Sequence, residues 1–166
     1  MCKHFFNNQT IKQSNNQTIK QSNIFITNTS LPQSLLNAYE ETHYRVCHEP
    51  SFILRVGIHS EAVALLQQEY GVKSCAFVTA CNPFSQPLSN VENQRRQKNL
   101  EKIIATVGWV AIKGIGQHPS NNWQGEPSFL IMGISVEKAM ILARRFDQNA
   151  LVFVDEKAIP ELLLLK

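Results

Sequence analysis

The sequence has 166 residues, of which 43% are hydrophobic and 17% are charged. This length fits one ordinary domain, and the composition is too apolar for a disordered chain. The sequence contains no apolar run near the roughly 20 residues that span a bilayer, no apolar core of a secretory signal and no C-x-x-C pair of cysteines. These features exclude membrane, secreted disulfide-rich and zinc-ribbon proteins, so we expect a cytoplasmic protein without a metal site.

The positive charge is confined to the N-terminal segment. The formal net charge is +3, and residues 1–30 contain Lys3, Lys12 and Lys20 but no Asp or Glu. The rest of the chain therefore has no net charge. A neutral domain lacks the basic surface of a general nucleic-acid binder, so we expect neither nucleic acid nor a membrane as the partner.

The N-terminal segment also contains a short repeat. Asn7–Ser14 and Asn15–Ser22 both read NNQTIKQS. Such an Asn- and Gln-rich segment cannot bury enough apolar surface to fold alone. We therefore predict that residues 1–29 form a disordered tail and that residues 30–166 form a single domain. Two origins fit the repeat: upstream sequence translated from a misassigned start, or a functional polar tail.

From Ser30 onward, helix and strand patterns alternate. Ser30–Gln33 and Ser89–Glu92 have the pattern of a capping box, and Ser60 and Ser135 also precede helical stretches. Extended or alternating stretches occupy residues 42–47, 52–56, 75–80, 109–112, 128–134, 151–154 and 161–165. This alternation predicts an α/β domain with a mixed parallel and antiparallel sheet of about five to six strands covered by helices.

The longest polar loops are expected at one edge of this sheet. If residues 52–56 run upward, residues 75–80 and 109–112 also run upward, and the strands at 128–134 and 151–154 run downward. The tracing places four loops at the upper edge: Ile58–Ser60, Asn82–Ser89, Gly114–Glu126 and Asp147–Asn149. Ligands of open α/β sheets bind at the carboxyl ends of parallel strands, so we predict a ligand site at this edge.

The helix that begins at Ser89 presents polar side chains to the core. Its apolar stripe comprises Leu100, Ile103, Ile104 and Val107. Helical periodicity places Asn93, Arg96 and Gln97 on the same face, and it places Arg95, Lys98 and Lys102 on the solvated face. Two interpretations remain open. Either Asn93 and Arg96 bind the backbone of the loop at 82–86 and fix it, or they hold an anion or polar ligand with the helix N-terminus.

Three stretches resemble a known family. They read FVTACNPFSQPLSNVENQRR at 77–96, EPS followed by GI within 126–134, and ARRFDQN at 143–149. Together they resemble the bacterial family called domain of unknown function 3293, over about residues 31–156. The chain has Cys81 where members usually have an aromatic residue, and Asp147 where they often have Gly. The resemblance supports the domain limits and implies no activity or cofactor.

Enzyme motifs are absent from the sequence. It has no P-loop, no G-x-S-x-G and no H-E-x-x-H, and Gly114-Ile-Gly116 has the pattern of a turn. His59 and His118 could meet at the upper edge with Glu126 or Cys81, but dispersed histidines are more often unrelated surface residues. Trp123 either stacks against a ligand or plugs its own loop.

Two hypotheses about function follow. In the first, the protein binds a small anionic or nucleotide-like ligand at the loop edge, with or without catalysis. The candidate residues are Asn82, Ser85, Asn93, Arg96, Trp123, Glu126 and Asn149. In the second, it is a protein-interaction module that uses the Asn-Pro loop and the basic face of helix 89–107. A concave pocket would favour the first hypothesis and a flat, filled edge the second.

Overall fold

A computed structural model describes residues 29–166. The octapeptide repeat lies outside these residues, as does the predicted disordered tail apart from Thr29. In the described part of the chain, no helix combines the length and apolar composition that a transmembrane span requires. The elements are α1 (Gln33–Glu41), β1 (His43–Val46), β2 (Phe52–Leu54), α2 (Glu61–Glu69), β3 (Cys75–Val78), a 3-10 turn (Pro83–Ser85), α3 (Asn90–Val107), β4 (Ala111–Gln117), β5 (Glu126–Met132), α4 (Val136–Arg145), β6 (Ala150–Val154) and β7 (Pro160–Leu164).

The sheet differs from the predicted one. It has seven strands in the order β2-β1-β4-β5-β3-β6-β7, every neighbouring pair is antiparallel, and the sheet curls into a half-barrel. The prediction of a mixed sheet of five to six strands is therefore wrong. β2, β3 and β4 do run in the same direction, but β1 and β5 lie between them. The alternation of helix and strand gave the strand directions correctly, whereas three of the six pairings, β1–β4, β3–β5 and β3–β6, join strands that are not consecutive in the chain.

Each face of the sheet packs against its own pair of helices. One core contains Val63 and Leu66 of α2 together with Tyr44, Phe77 and other strand residues, and α1 lies over the same face. The second core contains Leu100 and Ile104 of α3 and the apolar side of α4. Because strand side chains alternate, β3, β4 and β5 each contribute residues to both faces.

Serine side chains cap the N-termini of three of the four α-helices in the described residues. The side-chain oxygen of each of these serines, Ser60, Ser89 and Ser135, accepts the backbone N–H of the residue three positions later, at 3.4, 3.2 and 3.4 Å. These three caps are as predicted. The first helix is different. Its N-cap is Pro32 and no side chain caps it, so the predicted capping box at Ser30 is wrong and the helix begins at Gln33.

The β4–β5 hairpin is longer than predicted. Gly114 and Gly116, interpreted as a turn in the sequence, lie within β4. A Cβ at Gly114 would stand 2.5 Å from the ring of Phe77 and 2.7 Å from the carbonyl oxygen of Arg45, so only glycine allows this approach. A Cβ at Gly116 would have its nearest neighbours at 3.8 Å.

One of the four predicted loops lies elsewhere. The N–H groups of Gly57 and Ser60 donate to the carbonyl oxygens of Pro160 and Ala158 at 2.8 and 2.9 Å. These acceptors belong to the β6–β7 turn, at the opposite end of β6 from Asp147–Asn149. Placing Ile58–Ser60 at the shared edge is therefore wrong, and His59 does not approach the other loops.

Candidate functional site

A cavity of about 200 Å³ lies beneath α1, at the end of the sheet where β3 and β4 finish and β5 and β6 begin. Four candidate residues line it: Asn82, Ser85, Trp123 and Glu126. An engineered apolar cavity of about 150 Å³ admits benzene, so this volume suits a molecule with one ring. The structure thus brings the loops after β3 and before β5 together around one concave space.

Two glycines of β4 reduce the side-chain volume on the face of the sheet that α1 covers. Gly116 faces the space without a side chain. The ring of Phe77 covers Gly114 and meets Tyr44 edge to face, with ring centroids 5.4 Å apart. On the helix side, Tyr39 faces the same space. The glycine pattern of β4 and the packing of α1 together leave a pocket instead of a filled core.

Glu126 is the carboxylate of the cavity. Its Oε1 accepts hydrogen bonds from Asn82 Nδ2 at 2.7 Å and from Trp123 Nε1 at 2.9 Å. No group in residues 29–166 donates to Oε2. Burial raises the pKa of Glu126, and the hydrogen bonds from Asn82 and Trp123 partly oppose this effect. The carboxylate is held in place through one oxygen, and the other is available to accept a hydrogen bond or a proton.

Asn82 is held by Asn93. The Asn93 side chain binds both the backbone and the side chain of Asn82: its Oδ1 accepts the backbone N–H of Asn82 at 2.9 Å, and its Nδ2 donates to Asn82 Oδ1 at 2.8 Å. The N–H of Leu88 donates to the same Oδ1 at 3.0 Å. With its oxygen occupied, the amide of Asn82 directs Nδ2 at Glu126. Asn93 therefore positions the carboxylate through Asn82 without lining the cavity itself.

Ser85 belongs to a second polar cluster. Its Oγ lies 2.5 Å from the hydroxyl of Tyr39. The Nδ2 of Asn149 donates to Ser85 Oγ at 3.2 Å and to the Tyr39 hydroxyl at 3.4 Å. Asn149 is buried and is not among the residues that line the cavity, whereas Ser85 and Tyr39 both line it. The loop after β3 thus provides two of these polar side chains. Asn82 binds the carboxylate of Glu126, and Ser85 pairs with the hydroxyl of Tyr39.

Arg96 contacts backbone and not the cavity. Its Nε donates to the carbonyl oxygen of Ala80 at 2.7 Å and its Nη2 to that of Phe146 at 2.5 Å. Asp147 lies 3.5 Å away. Asn82 and Asn93 bond each other directly, but Arg96 reaches neither side chain. These contacts support the interpretation that Arg96 fixes the loops.

His118 lines the cavity but forms no ligand set for a metal. Its Nδ1 accepts the N–H groups of Ser120 and Asn121 at 3.2 and 3.1 Å, so Nε2 carries the proton and donates to Glu41 at 3.0 Å. Residues 29–166 contain no group of three His, Cys, Asp or Glu side chains placed to hold a metal ion. Burial raises the pKa of Cys81, which favours its thiol form.

A second, more open cavity of about 360 Å³ adjoins the first. Asn82 and Glu126 line both cavities, and Asn93 and Gln97 line the second. Gln97 accepts the N–H of Ala80 at 3.1 Å. The side chains of α3 therefore hold the backbone between the end of β3 and Asn82.

Tyr39 and His118 also line the cavity but are not among the candidate residues chosen from the sequence. Leu35 and Tyr39 are four residues apart, the spacing of a buried helical stripe, so nothing in the sequence marks Tyr39 as facing a cavity. His118 is an isolated histidine in a polar loop. Its only signal was the predicted position at the loop edge.

Comparison with known proteins gives one match. No curated protein and no solved structure matches this chain. The family model described as Protein of unknown function (DUF3293) matches residues 78–151. This range contains all seven candidate residues and ends within β6, but it does not include α1. The match confirms the resemblance to this family that the sequence shows.

Proposed function

We propose that this protein binds a small molecule, about the size of one ring, in the cavity beneath α1. A hydrogen-bond donor of the ligand pairs with Oε2 of Glu126. The observation that carries this proposal is the asymmetry of the Glu126 carboxylate. Asn82 and Trp123 hold Oε1, whereas Oε2 accepts no hydrogen bond from the described residues. Glu126 is half-buried and lines the cavity, so a donor of a ligand inside the cavity would pair with this oxygen.

The charges around the cavity favour a neutral or cationic ligand. Among the described residues that line it, none is Lys or Arg, and Glu126 is the carboxylate. Leu35, Val152 and Leu162 supply apolar walls. The described residues that line this cavity include no Lys or Arg side chain that could pair with the anionic ligand expected from the sequence. A nucleobase still fits the proposal, because nucleobases carry N–H donors on a ring.

The alternative function, a protein-interaction module, has less support. Arg95 on the basic face of α3 is paired with Glu92 on its own helix. The Asn-Pro loop turns Asn82 and Ser85 into the cavity instead of forming a flat surface. Catalysis, if the protein performs any, would use Glu126 as a general base, since it is the carboxylate with a free oxygen. A cytoplasmic location remains our prediction.

The test uses four probes of defined charge. Benzamidine and benzoate are rings of one size with a cationic donor or an anionic acceptor, and adenosine and AMP differ by a phosphate. Each is titrated against the wild type, Glu126→Gln and Glu69→Gln, the last being an exposed control on α2. We expect benzamidine to raise the melting temperature of the wild type and of Glu69→Gln, and benzoate to raise neither. We also expect adenosine to bind better than AMP.

Glu126→Gln should lose most of the response to benzamidine, because the amide keeps an acceptor for Asn82 and Trp123 but loses the charge. An equal response of wild type and Glu126→Gln would contradict the proposal. So would a stronger response to benzoate than to benzamidine, or the absence of a response to all four probes at millimolar concentration.

A further inference from the structure

The helices α3 and α4 cover only part of their face of the sheet. The second core takes residues from β3, β5, β6 and β7 and only Ala111 from β4, whereas no residue of β1 or β2 belongs to it. Tyr44 and Val46 of β1 belong to the first core, so Arg45 between them faces the side of α3 and α4. Because Arg45 is exposed, this part of the face is open to solvent.

Strand alternation places four more side chains on this open side. Gly114 lies against the first core, so its neighbours Lys113 and Ile115 face the other way, and both are exposed. Ile53 and Arg55 alternate with three residues of the first core, which are Phe52, Leu54 and Val56. We call the resulting surface the open strand face; it comprises Arg45, Ile53, Arg55, Lys113 and Ile115.

The three cations of the open strand face form a diagonal line across three strands. Arg45 lies opposite Ile53 of β2 and opposite Ile115 of β4. Arg55 is two residues after Ile53 and Lys113 is two residues before Ile115, so each is a diagonal neighbour of Arg45, about 7–8 Å away. Alternate residues of an extended peptide are about 7 Å apart. A peptide laid along this line can therefore place one carboxylate at each cation.

The chain itself supplies no carboxylate to these cations. Within residues 29–166, the ion pairs involve Arg95, Arg96 and His118. Glu49, in the turn between β1 and β2, pairs with none of the cations of the open strand face. Residues 1–28 contain no Asp or Glu. A carboxylate that pairs with this face would therefore belong to another molecule.

The open strand face suits a peptide better than a nucleic acid. It has no aromatic side chain on which bases could stack. Residues 31–166 have no net charge, so the domain lacks the long-range attraction that a polyanionic strand requires. Ile53 and Ile115 flank Arg45, and the 39% exposed side chain of Ile115 offers apolar surface to a peptide chain.

We propose that the open strand face binds an extended acidic segment of a partner protein. Carboxylates at alternate positions of the segment pair with Arg55, Arg45 and Lys113, and guanidinium groups can hold a carboxylate through two N–H donors. This surface is separate from the basic face of α3. It also lies on the opposite side of the sheet from the cavity, so the inference does not depend on the proposed function.

The test titrates short peptides with blocked ends into the full chain and follows backbone amide shifts by NMR, which detects and localises weak binding. The probe is Asp-Val-Asp-Val-Asp, and Asp-Asp-Asp-Val-Val has the same composition without the alternate spacing. We expect the wild type to bind the alternating peptide several-fold more tightly, with shifts in β1, β2 and β4 and weaker binding at high salt. This comparison needs no variant.

The triple variant Arg45→Gln/Arg55→Gln/Lys113→Gln should bind the alternating peptide at least about tenfold more weakly, since each exposed ion pair contributes up to about fivefold. The matched control is Lys138→Gln/Arg144→Gln/Arg145→Gln, which removes the same charge from exposed positions of α4. It should bind within about twofold of the wild type.

Several results would overturn the inference. They are equal binding of the two peptides, equal affinity of the wild type and the first triple variant, an equal loss in the control, or no binding of the alternating peptide at millimolar concentration. Tighter binding of a five-nucleotide oligothymidylate than of the peptide at the same strands would identify a nucleic acid as the partner instead.

Discussion

Arg96→Ala removes the side chain that joins the segment after β3 to the loop before β6. The guanidinium is 16% exposed and donates to the carbonyl oxygens of Ala80 and Phe146. It also lies 5.9 Å from the centre of the Phe146 ring. Alanine leaves two carbonyl oxygens without their charged donor and removes the guanidinium that lies over the ring.

The expected loss of stability follows from these contacts. A hydrogen bond to a charged group contributes about 1.5–3 kcal/mol, and water can replace part of it where a carbonyl becomes accessible. The contact with Asp147 adds little, because that carboxylate is 46% exposed. We therefore expect Arg96→Ala to lower the free energy of unfolding by about 2–3 kcal/mol. For a domain of this size, this corresponds to a melting temperature lower by roughly 5–10 °C.

Urea unfolding of the wild type, Arg96→Ala and Arg95→Ala measures this effect. Arg95 is the matched control, since its side chain is 69% exposed and pairs only with Glu92 on the same helix. Its removal should leave the unfolding midpoint unchanged. Equal midpoints for the two variants would refute the reasoning, because they would show that the buried bonds of Arg96 contribute no more than a surface pair.

Three further predictions concern the sheet, the carboxylate and the tail. Gly114→Ala should lower the free energy of unfolding by about 1–3 kcal/mol, since its Cβ would overlap the ring of Phe77. Gly116→Ala should unfold at the same urea concentration as the wild type. It should bind benzamidine more weakly, because its Cβ enters the cavity. Burial raises the pKa of Glu126, so the folded protein binds this proton more tightly than the unfolded chain, and ionisation lowers stability as the pH rises above the ordinary value of about 4.3. Glu126→Gln should therefore be more stable than the wild type in urea at pH 7 and lose this advantage below pH ~4; a pH-independent difference would contradict it. A chain that begins at Ser30 should keep the melting temperature of the full chain in calorimetry, and a clear decrease would show that the tail packs.

The strand directions were predictable from the sequence, but the strand neighbours were not. Alternation of helix and strand fixes whether a strand runs up or down. It does not show that residues 43–46 pair with residues 114–117, some 70 positions later. That pairing places β1 between β2 and β4, and β5 lies between β4 and β3, so no neighbouring strands are parallel. The same order of helices and strands in the sequence therefore fits both a mixed sheet and an interleaved antiparallel one.

The candidate site was predictable where polar loops meet an edge, and not where a helix or strand borders the cavity. Asn82, Ser85, Trp123 and Glu126 belong to loops or strand starts, and the tracing placed them together. Tyr39 was missed because a side chain beneath a helix has the same spacing whether it meets a filled core or a cavity. Gly116 was assigned to a turn because glycine is common both in turns and where a strand must leave space.

The sequence left two interpretations of the polar face of α3 as alternatives, a structural one and a ligand-binding one, and the structure connects them. Gln97 and Arg96 bind the backbone of Ala80, and Asn93 binds Asn82, two residues later. Asn82 adopts a left-handed conformation with φ of +47° and directs its amide at Glu126. A strained turn keeps its geometry only when the surrounding contacts determine it. The half-buried amides and guanidinium of α3 therefore act on the proposed ligand site indirectly, by holding the turn that orients Glu126.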